Sequence, residues 1–318
     1  MKAIYIEQHG GPGALKYGEM PVPELQPGHA LVKVAASGVN FIDTYQRSGL
    51  YKLPLPAILG AEGAGTVEAG TNFQKGDRVA WTMARGSYAE YALVPESALV
   101  KLPDSVSFED AAAAALQGMT AHYLTRSTFP LKAGDTALIH AAAGGTGLLL
   151  VQLAKLAGAR VIGTVSTEAK AALARAAGAD EVILYTSQDF VAETERLTDG
   201  RGVDVVYDSV GKATLMGSFD CLRPRGMAVS FGQSSGAVPA FEPLLLSQKG
   251  SLFFTRPALP AYIAERSELE WRARDVFQWI AEKKLRLRVE KTYPLADAAQ
   301  AHRDLEGRGT TGKLMLAI

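Results

Sequence analysis

The sequence predicts a mixed α/β chain in which a doubly wound parallel sheet is inserted into a discontinuous β-rich domain. Three observations carry that prediction. From about residue 123 to 256, near-continuous apolar strands alternate with helical patterns, which demands a parallel sheet covered on both faces. Before residue 123 the chain has short strand-like pieces separated by turns rich in Gly and Pro, the pattern of an antiparallel or barrel-like domain. After residue 256, two helical patterns and two short strands are too few to form a core alone, so they are expected to return to the first domain. The expected division is therefore 1–122 with 257–318, and 123–256, with the active site in the cleft between them.

In chain order, the first strands are expected at Ala3 to Ile6, Ala30 to Ala36, Gly65 to Glu68, Asp77 to Trp81 and Tyr88 to Val94. A helix beginning near Ser107 runs through Ala111 to Ala115, where the alanines reflect close helix packing. The run Thr136 to Leu148 then reads as a buried strand, a small-residue turn and a helix start. Helix Gly145 to Leu156, strand Val161 to Val165 and helix Thr167 to Ala177 follow, with Gly158 and Gly178 as stops. Strand Val182 to Leu184, a helix opening near Ser187, strand Val203 to Tyr207, a helix ending near Cys221 and strand Met227 to Phe231 continue the alternation, with Ser251 to Phe254 as a candidate sixth strand. Helical patterns at Glu268 to Lys283 and Ala296 to Glu306 and strands at Lys291 to Tyr293 and Lys313 to Leu316 close the chain.

The turn Ala142-Ala143-Gly144-Gly145-Thr146-Gly147 matches the G-x-G-x-x-G fingerprint, with Ala142 in place of its first glycine. Small residues there let backbone N–H groups approach a pyrophosphate at the positive end of the following helix. Taken alone, the run also fits a tight strand-to-helix turn in a packed sheet. The alternation that follows it favours a dinucleotide-binding Rossmann domain.

The end of the next strand selects the dinucleotide. An NAD site has an Asp or Glu there to hold the ribose 2′-hydroxyl, whereas this chain has Ser166 and Thr167, then Lys170 one helical turn later. Hydroxyls and an ammonium suit a 2′-phosphate, which favours NADPH. Glu168 counts against this reading, and Lys170 also fits an ordinary solvated helix face.

Composition narrows the function classes. Hydrophobic residues make up 47% of the 318, enough for a substantial core, and the formal charge of zero gives no electrostatic basis for seeking a polyanion. No run approaches the ~18 apolar residues of a membrane helix, and Glu7 interrupts the start before a signal-type apolar core forms. A cytoplasmic location is expected. The single cysteine, Cys221, allows no internal disulfide and no Cys-rich zinc lobe, and reads as a buried thiol.

Several phrases together resemble one family. They are SGVNFIDTYQRSGLY (Ser37 to Tyr51), GAEGAG (Gly60 to Gly65), GDRVA (Gly76 to Ala80), HAAAGGTGLLLVQLAK (His140 to Lys155), VIGTVSTEAK (Val161 to Lys170), VVYDSVG (Val205 to Gly211) and RPRGMAVSFGQSSG (Arg223 to Gly236). Over the whole chain this resembles the medium-chain dehydrogenase/reductase superfamily, and within it the zinc-free NADPH:quinone oxidoreductases related to zeta-crystallin, most of all the bacterial ones. The resemblance implies a GroES-like catalytic domain around the Rossmann domain, and a homodimer. In the zinc alcohol dehydrogenases of the same superfamily, a cysteine stands where this chain has Asn40, and G-H-E stands where it has Gly60-Ala61-Glu62. The five histidines, His9, His29, His122, His140 and His302, show no ligand spacing. No metal is expected, and reduction of an already electron-poor acceptor is favoured over alcohol oxidation.

The resemblance further implies that Asn40, Tyr45 and Tyr51 line the nicotinamide and substrate site, with Tyr51 or Tyr45 as the candidate proton source and water as the alternative. By residue type alone, both tyrosines read as half-buried barrel residues. For the cofactor, the resemblance implies Ala142, Gly144, Gly145 and Gly147 at the pyrophosphate, Ser166 and Lys170 at the 2′-phosphate, and Tyr185 beside the adenosine. It also implies Thr120, Phe231, Gly232, Gln233, Ser234 and Arg308 as further contacts. Gln233 departs from the family's usual asparagine, and Tyr185 and Arg308 fit equally a surface aromatic and a solvated charge. Two other functions stay open, a reductase of α,β-unsaturated ketones or aldehydes and, less favoured, a non-catalytic RNA-binding or structural role.

Overall fold

The structure, a computed structural model, describes every residue of the chain except Arg308. The chain divides into two compact units, Met1–Met119 with Tyr262–Ile318, and Thr120–Ala261.

The first unit opens with β1 (Lys2–Ile6), β2 (Lys16–Glu19), β3 (His29–Val39), α1 (Phe41–Ser48), β4 (Ala57–Ile58), β5 (Glu62–Ala69), β6 (Arg78–Thr82), β7 (Tyr91–Pro95), β8 (Leu99–Lys101) and α2 (Phe108–Tyr123). Strand β3 shows why this part is β: Ala30, Val32, Val34 and Ala36 are buried at alternate positions while Lys33 and Ala35 face water. It pairs antiparallel with β5 and with β7. Val67, Val79, Trp81, Val94 and Leu99 close a core on its buried face. Helix α1, which carries Tyr45, has no counterpart in the sequence-based expectations. Its polar sequence FIDTYQRS hides an amphipathic face on which Asp43, Thr44 and Arg47 are buried, so apolar periodicity gave no signal.

The second unit contains β9 (Thr136–His140), α3 (Gly145–Leu156), β10 (Arg160–Val165), α4 (Glu168–Ala176), β11 (Glu181–Leu184), α5 (Phe190–Leu197), β12 (Val203–Asp208), α6 (Leu215–Asp220), β13 (Leu222–Ser230), α7 (Leu244–Gln248) and β14 (Phe253–Thr255). The strands form one six-stranded sheet in the order β11-β10-β9-β12-β13-β14, with every pair parallel. This is the doubly wound dinucleotide-binding order, and its direction reverses between β9 and β12. Strands β9 and β12 are buried at every position, as a parallel sheet covered on both faces requires. Helix α5 opens at Phe190, three residues beyond Ser187, because Asp189 caps it by accepting from the Val191 and Ala192 amides. Cys221 lies just past α6, buried, and burial pushes its thiol up to about 12.

The chain then continues with α8 (Leu259–Tyr262), α9 (Arg266–Ala281), β15 (Val289–Pro294), α10 (Ala298–Glu306) and β16 (Lys313–Ala317). Strand β16 adds antiparallel to β3, pairing Leu314 with Val39 and Ala317 with Ala36. Leu314, Leu316, Tyr293 and Ala301 share a buried cluster with Ile4, Ile6 and Leu59. The carboxyl-terminal segment thus completes the first unit's core. Among the described residues, no helix is long and apolar enough to cross a membrane.

Candidate functional site

In the second unit, the turn after β9 is shaped by close backbone packing. Ala141 takes a left-handed φ of 52°, and its carbonyl accepts the Gly144 amide at 2.9 Å. A Cβ built on Gly147 would lie 2.2 Å from that same carbonyl oxygen, so only glycine fits there. Ala142 replaces the fingerprint's first glycine without penalty, because its methyl faces Gly163 of β10, where a Cβ would sit 2.8 Å away. The volume is exchanged between neighbouring strands. Gly144 is the N-cap of α3 and the helix starts at Gly145, with no acidic residue in its first turn. The amides of such a first turn have no partner within the helix and favour an anion.

At the end of β10, Ser166 is half-buried and Thr167 caps α4, its hydroxyl accepting the Lys170 amide at 3.3 Å. Glu168 lies along α4, 3.7 Å from Arg175. Lys170 is on the same first turn. Tyr185 follows β11, half exposed, with its amide donating to the Val165 carbonyl at 3.1 Å. Thr120 is buried in α2.

The loops after β12 and β13 are tied to each other. The Phe231 amide donates to the Asp208 carbonyl at 2.8 Å, and the Ser234 amide donates to the Ser209 carbonyl at 3.2 Å. A Cβ on Gly232 would sit 2.5 Å from that Ser209 oxygen. Beneath them, the buried Asp208 carboxylate accepts from the Val210 and Gly211 amides and from the Thr214 and Ser218 hydroxyls. Ser218 Oγ meets His140 Nε2 at 3.1 Å, and His140 Nδ1 meets Thr164 Oγ1 at 2.9 Å. Burial lowers the His140 pKa, with Asp208 pulling the other way. This chain of contacts links the carboxyl-terminal ends of β9, β10 and β12 to α6.

A dinucleotide carrying a 2′-phosphate fits these residues. The Gly147 and Gly232 positions admit no side chain, α3 presents a free helix start, the end of β10 carries no carboxylate of its own, and the buried Ser230 hydroxyl at the end of β13 has no partner.

In the first unit, Asn40 lies between β3 and α1, buried, and its amide is fully engaged. Oδ1 accepts from Lys313 Nζ at 2.8 Å and from Gln117 Nε2 at 3.4 Å, while Nδ2 donates to Glu62 Oε2 at 2.8 Å and to the Gly38 carbonyl at 3.4 Å. Lys313 Nζ is 2.5 Å from the same Glu62 oxygen, and Glu62 Oε1 also accepts the Leu116 amide. Lys313 and Glu62 are both buried. Tyr45 and Tyr51 pack edge to face with ring centroids 5.5 Å apart, and Tyr51 is 42% exposed.

The structure therefore groups Ala142, Gly144, Gly145 and Gly147 in one turn, Ser166 with Lys170 at the end of β10, Phe231 to Ser234 in one loop, and Tyr45 with Tyr51 beside each other. Arg308 lies outside the described residues. Sequence reasoning passed over Glu62, Lys313, Gln117 and Asp43, which surround Asn40. The available signal was a carboxylate inside an otherwise apolar strand start, Leu59-Gly60-Ala61-Glu62, and a lysine opening the apolar Leu314 to Ala317 run. Among the described residues, no group of three or more His, Cys, Asp or Glu side chains is arranged to hold a metal ion.

Two family models match the chain, one described as an alcohol dehydrogenase GroES-like domain over residues 26–104 and one as a zinc-binding dehydrogenase over residues 177–316. The chain is 47% identical to a quinone oxidoreductase of Pseudomonas aeruginosa, covering 99% of each. It is 42% identical to a 2-haloacrylate reductase of a Burkholderia species, covering 99% of this chain and 98% of that protein. The crystal structure of the Escherichia coli quinone oxidoreductase complexed with NADPH superposes with a TM-score of 0.98 at 43% identity, covering all of both chains.

Proposed function

The chain belongs to the quinone oxidoreductase family of the medium-chain dehydrogenase/reductase superfamily, and on that premise we propose that it transfers reducing equivalents from NADPH to a quinone without a metal ion. The full-length likeness to a quinone oxidoreductase solved with NADPH carries this reading. When bound, NADPH supplies a hydride from carbon 4 of its nicotinamide.

The chain's own residues bind, orient and shield. The Ala142, Gly144, Gly145 and Gly147 backbone holds the pyrophosphate, Ser166 and Lys170 hold the 2′-phosphate, and Tyr185 packs beside the adenosine. Thr120 and the Phe231, Gly232, Gln233 and Ser234 loop complete the cofactor contacts. Asn40, fixed by Lys313 and Glu62, forms a rigid floor beside the nicotinamide and acceptor, where fixed position and orientation lower the barrier. Tyr45 and Tyr51 face the acceptor, and Tyr51, the more exposed residue of the two, is the better placed to exchange a proton with water. A cytoplasmic homodimer belongs to the same reading, and light scattering of the purified protein tests the dimer.

The second reading, reduction of a conjugated alkene, is favoured by the 42% identical 2-haloacrylate reductase. One experiment separates the two: oxidation of NADPH and NADH by the purified, metal-free protein, with a simple benzoquinone or an α,β-unsaturated ketone as acceptor. Faster NADPH oxidation with the quinone is expected. Turnover with the enone alone establishes the second reading, and NADPH binding with no turnover on either overturns both.

A further inference from the structure

Four buried side chains that none of the assigned site contacts uses form one directed chain of hydrogen bonds ending at the backbone of Asn40. Arg47 Nη1 donates to His302 Nδ1 at 3.0 Å, His302 Nε2 meets the Tyr88 hydroxyl at 3.2 Å, and that hydroxyl donates to Asp43 Oδ2 at 3.1 Å. All four side chains are almost completely shielded from water. Chemistry allows only one direction. A guanidinium can only donate, so His302 Nδ1 accepts, its proton sits on Nε2, and the Tyr88 hydroxyl receives that proton's bond and gives its own to Asp43. The outer end is anchored by Arg47 Nη2 on Glu306 Oε1 at 2.7 Å and by Arg47 Nε on the Gly10 carbonyl at 3.1 Å.

The inner end grips the residue just after β3 and the residue just before β5 at once. Asp43 Oδ2 accepts the Asn40 amide at 2.8 Å and Asp43 Oδ1 accepts the Ala61 amide at 3.0 Å. Those amides belong to Asn40 itself and to the residue before Glu62, the two groups whose side chains meet at 2.8 Å. A carboxylate that fixes both backbones sets the distance between both side chains. We propose that Asp43, held by the Tyr88–His302–Arg47 chain, is a positioning residue that sets the Asn40–Glu62 geometry required for turnover. The proposal rests on the reading that places Asn40 beside nicotinamide and acceptor.

Three donors aimed at the Asp43 carboxyl favour its ionised form. Burial pushes Asp43 up to about 7, against the Asn40 and Ala61 amides, the Tyr88 hydroxyl and the Lys313 charge, all of which favour ionisation. Glu62 and Arg47 are the other charges near Tyr88. Loss of the Tyr88 hydroxyl removes a donor to the carboxylate and moves its titration further up.

The experiment measures kcat, KM for NADPH and the pH dependence of kcat with benzoquinone, for Tyr88→Phe and His302→Gln, alongside Asn40→Ala and a core control, Val32→Ala. In Tyr88→Phe, kcat is expected to fall about ten- to a hundredfold with KM for NADPH nearly unchanged, and the acid limb to move up by about one pH unit. His302→Gln shifts the same limb in the same direction and serves if Tyr88→Phe does not fold. Val32→Ala lowers thermal stability while the folded enzyme keeps its kcat and limb. Wild-type kcat and limb in both chain variants, with kcat reduced in Asn40→Ala, overturn the positioning role alone. Unchanged kcat in Asn40→Ala overturns the reading of Asn40 and the proposal with it.

Discussion

Lys313 Nζ lies 2.8 Å from the Oδ1 of Asn40, although 273 residues separate them, and it shares Glu62 Oε2 with the Asn40 amide. The contact exists because β16 pairs antiparallel with β3 and brings the start of one strand to the end of the other. Removing one member of a buried ion pair strands the other charge, at a cost of about 3–5 kcal/mol. Lys313→Met is therefore expected to lower unfolding free energy by about that amount in urea. Adding Glu62→Gln recovers most of the loss, since the stranded charge is gone. If Lys313→Met alone is as stable as the native protein, the pair carries no net burden on the fold.

The turn after β9 makes a graded prediction. A Cβ at Gly147 meets a backbone oxygen at 2.2 Å, while one at Gly144 meets the same oxygen at 3.2 Å. Overpacking against backbone costs roughly 1–3 kcal/mol, and here the displaced atoms belong to the turn assigned to the pyrophosphate. Gly147→Ala is expected to weaken NADPH binding about tenfold or more, and Gly144→Ala to weaken it much less. Titration of NADPH fluorescence measures both. Equal affinities for the two variants remove the turn from the cofactor site.

The second unit was legible because its information is local. Buried parallel strands are apolar at every position, helices stop at glycines, and the order of parts fixes the sheet, so expectation and structure agree to within a few residues from β9 to β12. The polar cluster around Asn40 was not legible, because its members come from the β3–α1 junction, β5, α2 and β16 and meet only through tertiary pairing. Helix α1 was missed for a related reason. Its buried face is made of Asp43, Thr44 and Arg47, whose burial depends on partners such as His302 that lie more than 250 residues away. Ala142 is the intermediate case: its departure from the fingerprint is visible in sequence, and the compensating Gly163 becomes visible only when β10 lies beside β9.

Lys170 offers the test of cofactor choice. Glu168 leans toward Arg175, and Ser166 with Lys170 stands where an NAD-dependent chain has a carboxylate. A hydrogen bond to a charged group contributes about 1.5–3 kcal/mol. Lys170→Ala is thus expected to raise the Kd for NADPH roughly ten- to a hundredfold and to leave that for NADH nearly unaltered. Equal loss for both cofactors places the 2′-phosphate elsewhere.

Asp43 and His302, joined through Tyr88, shift in ways that oppose each other in the pH dependence of stability. Burial raises Asp43 from 3.8 to about 7, and burial followed by the nearby Arg47 charge lowers His302 from 6.5 to about 3. Across the interval from pH 4 to 6.5, folded Asp43 keeps a proton that the unfolded chain has released, so this group makes stability fall as pH rises. Over the same interval the unfolded chain protonates its imidazole while folded His302 stays neutral, so that group makes stability rise with pH. Each contributes a slope of about 1.4 kcal/mol per pH unit, with opposite signs, and in the native protein they nearly cancel. His302→Gln unmasks the Asp43 slope: relative to the native protein, its unfolding free energy is expected to fall by roughly 3 kcal/mol between pH 4.5 and 6.5. Asp43→Asn unmasks the other slope, and its stability is expected to rise with pH over the same range. Urea denaturation at four or five pH values measures both. Curves that run parallel to the native one would mean that the two groups do not titrate in opposition.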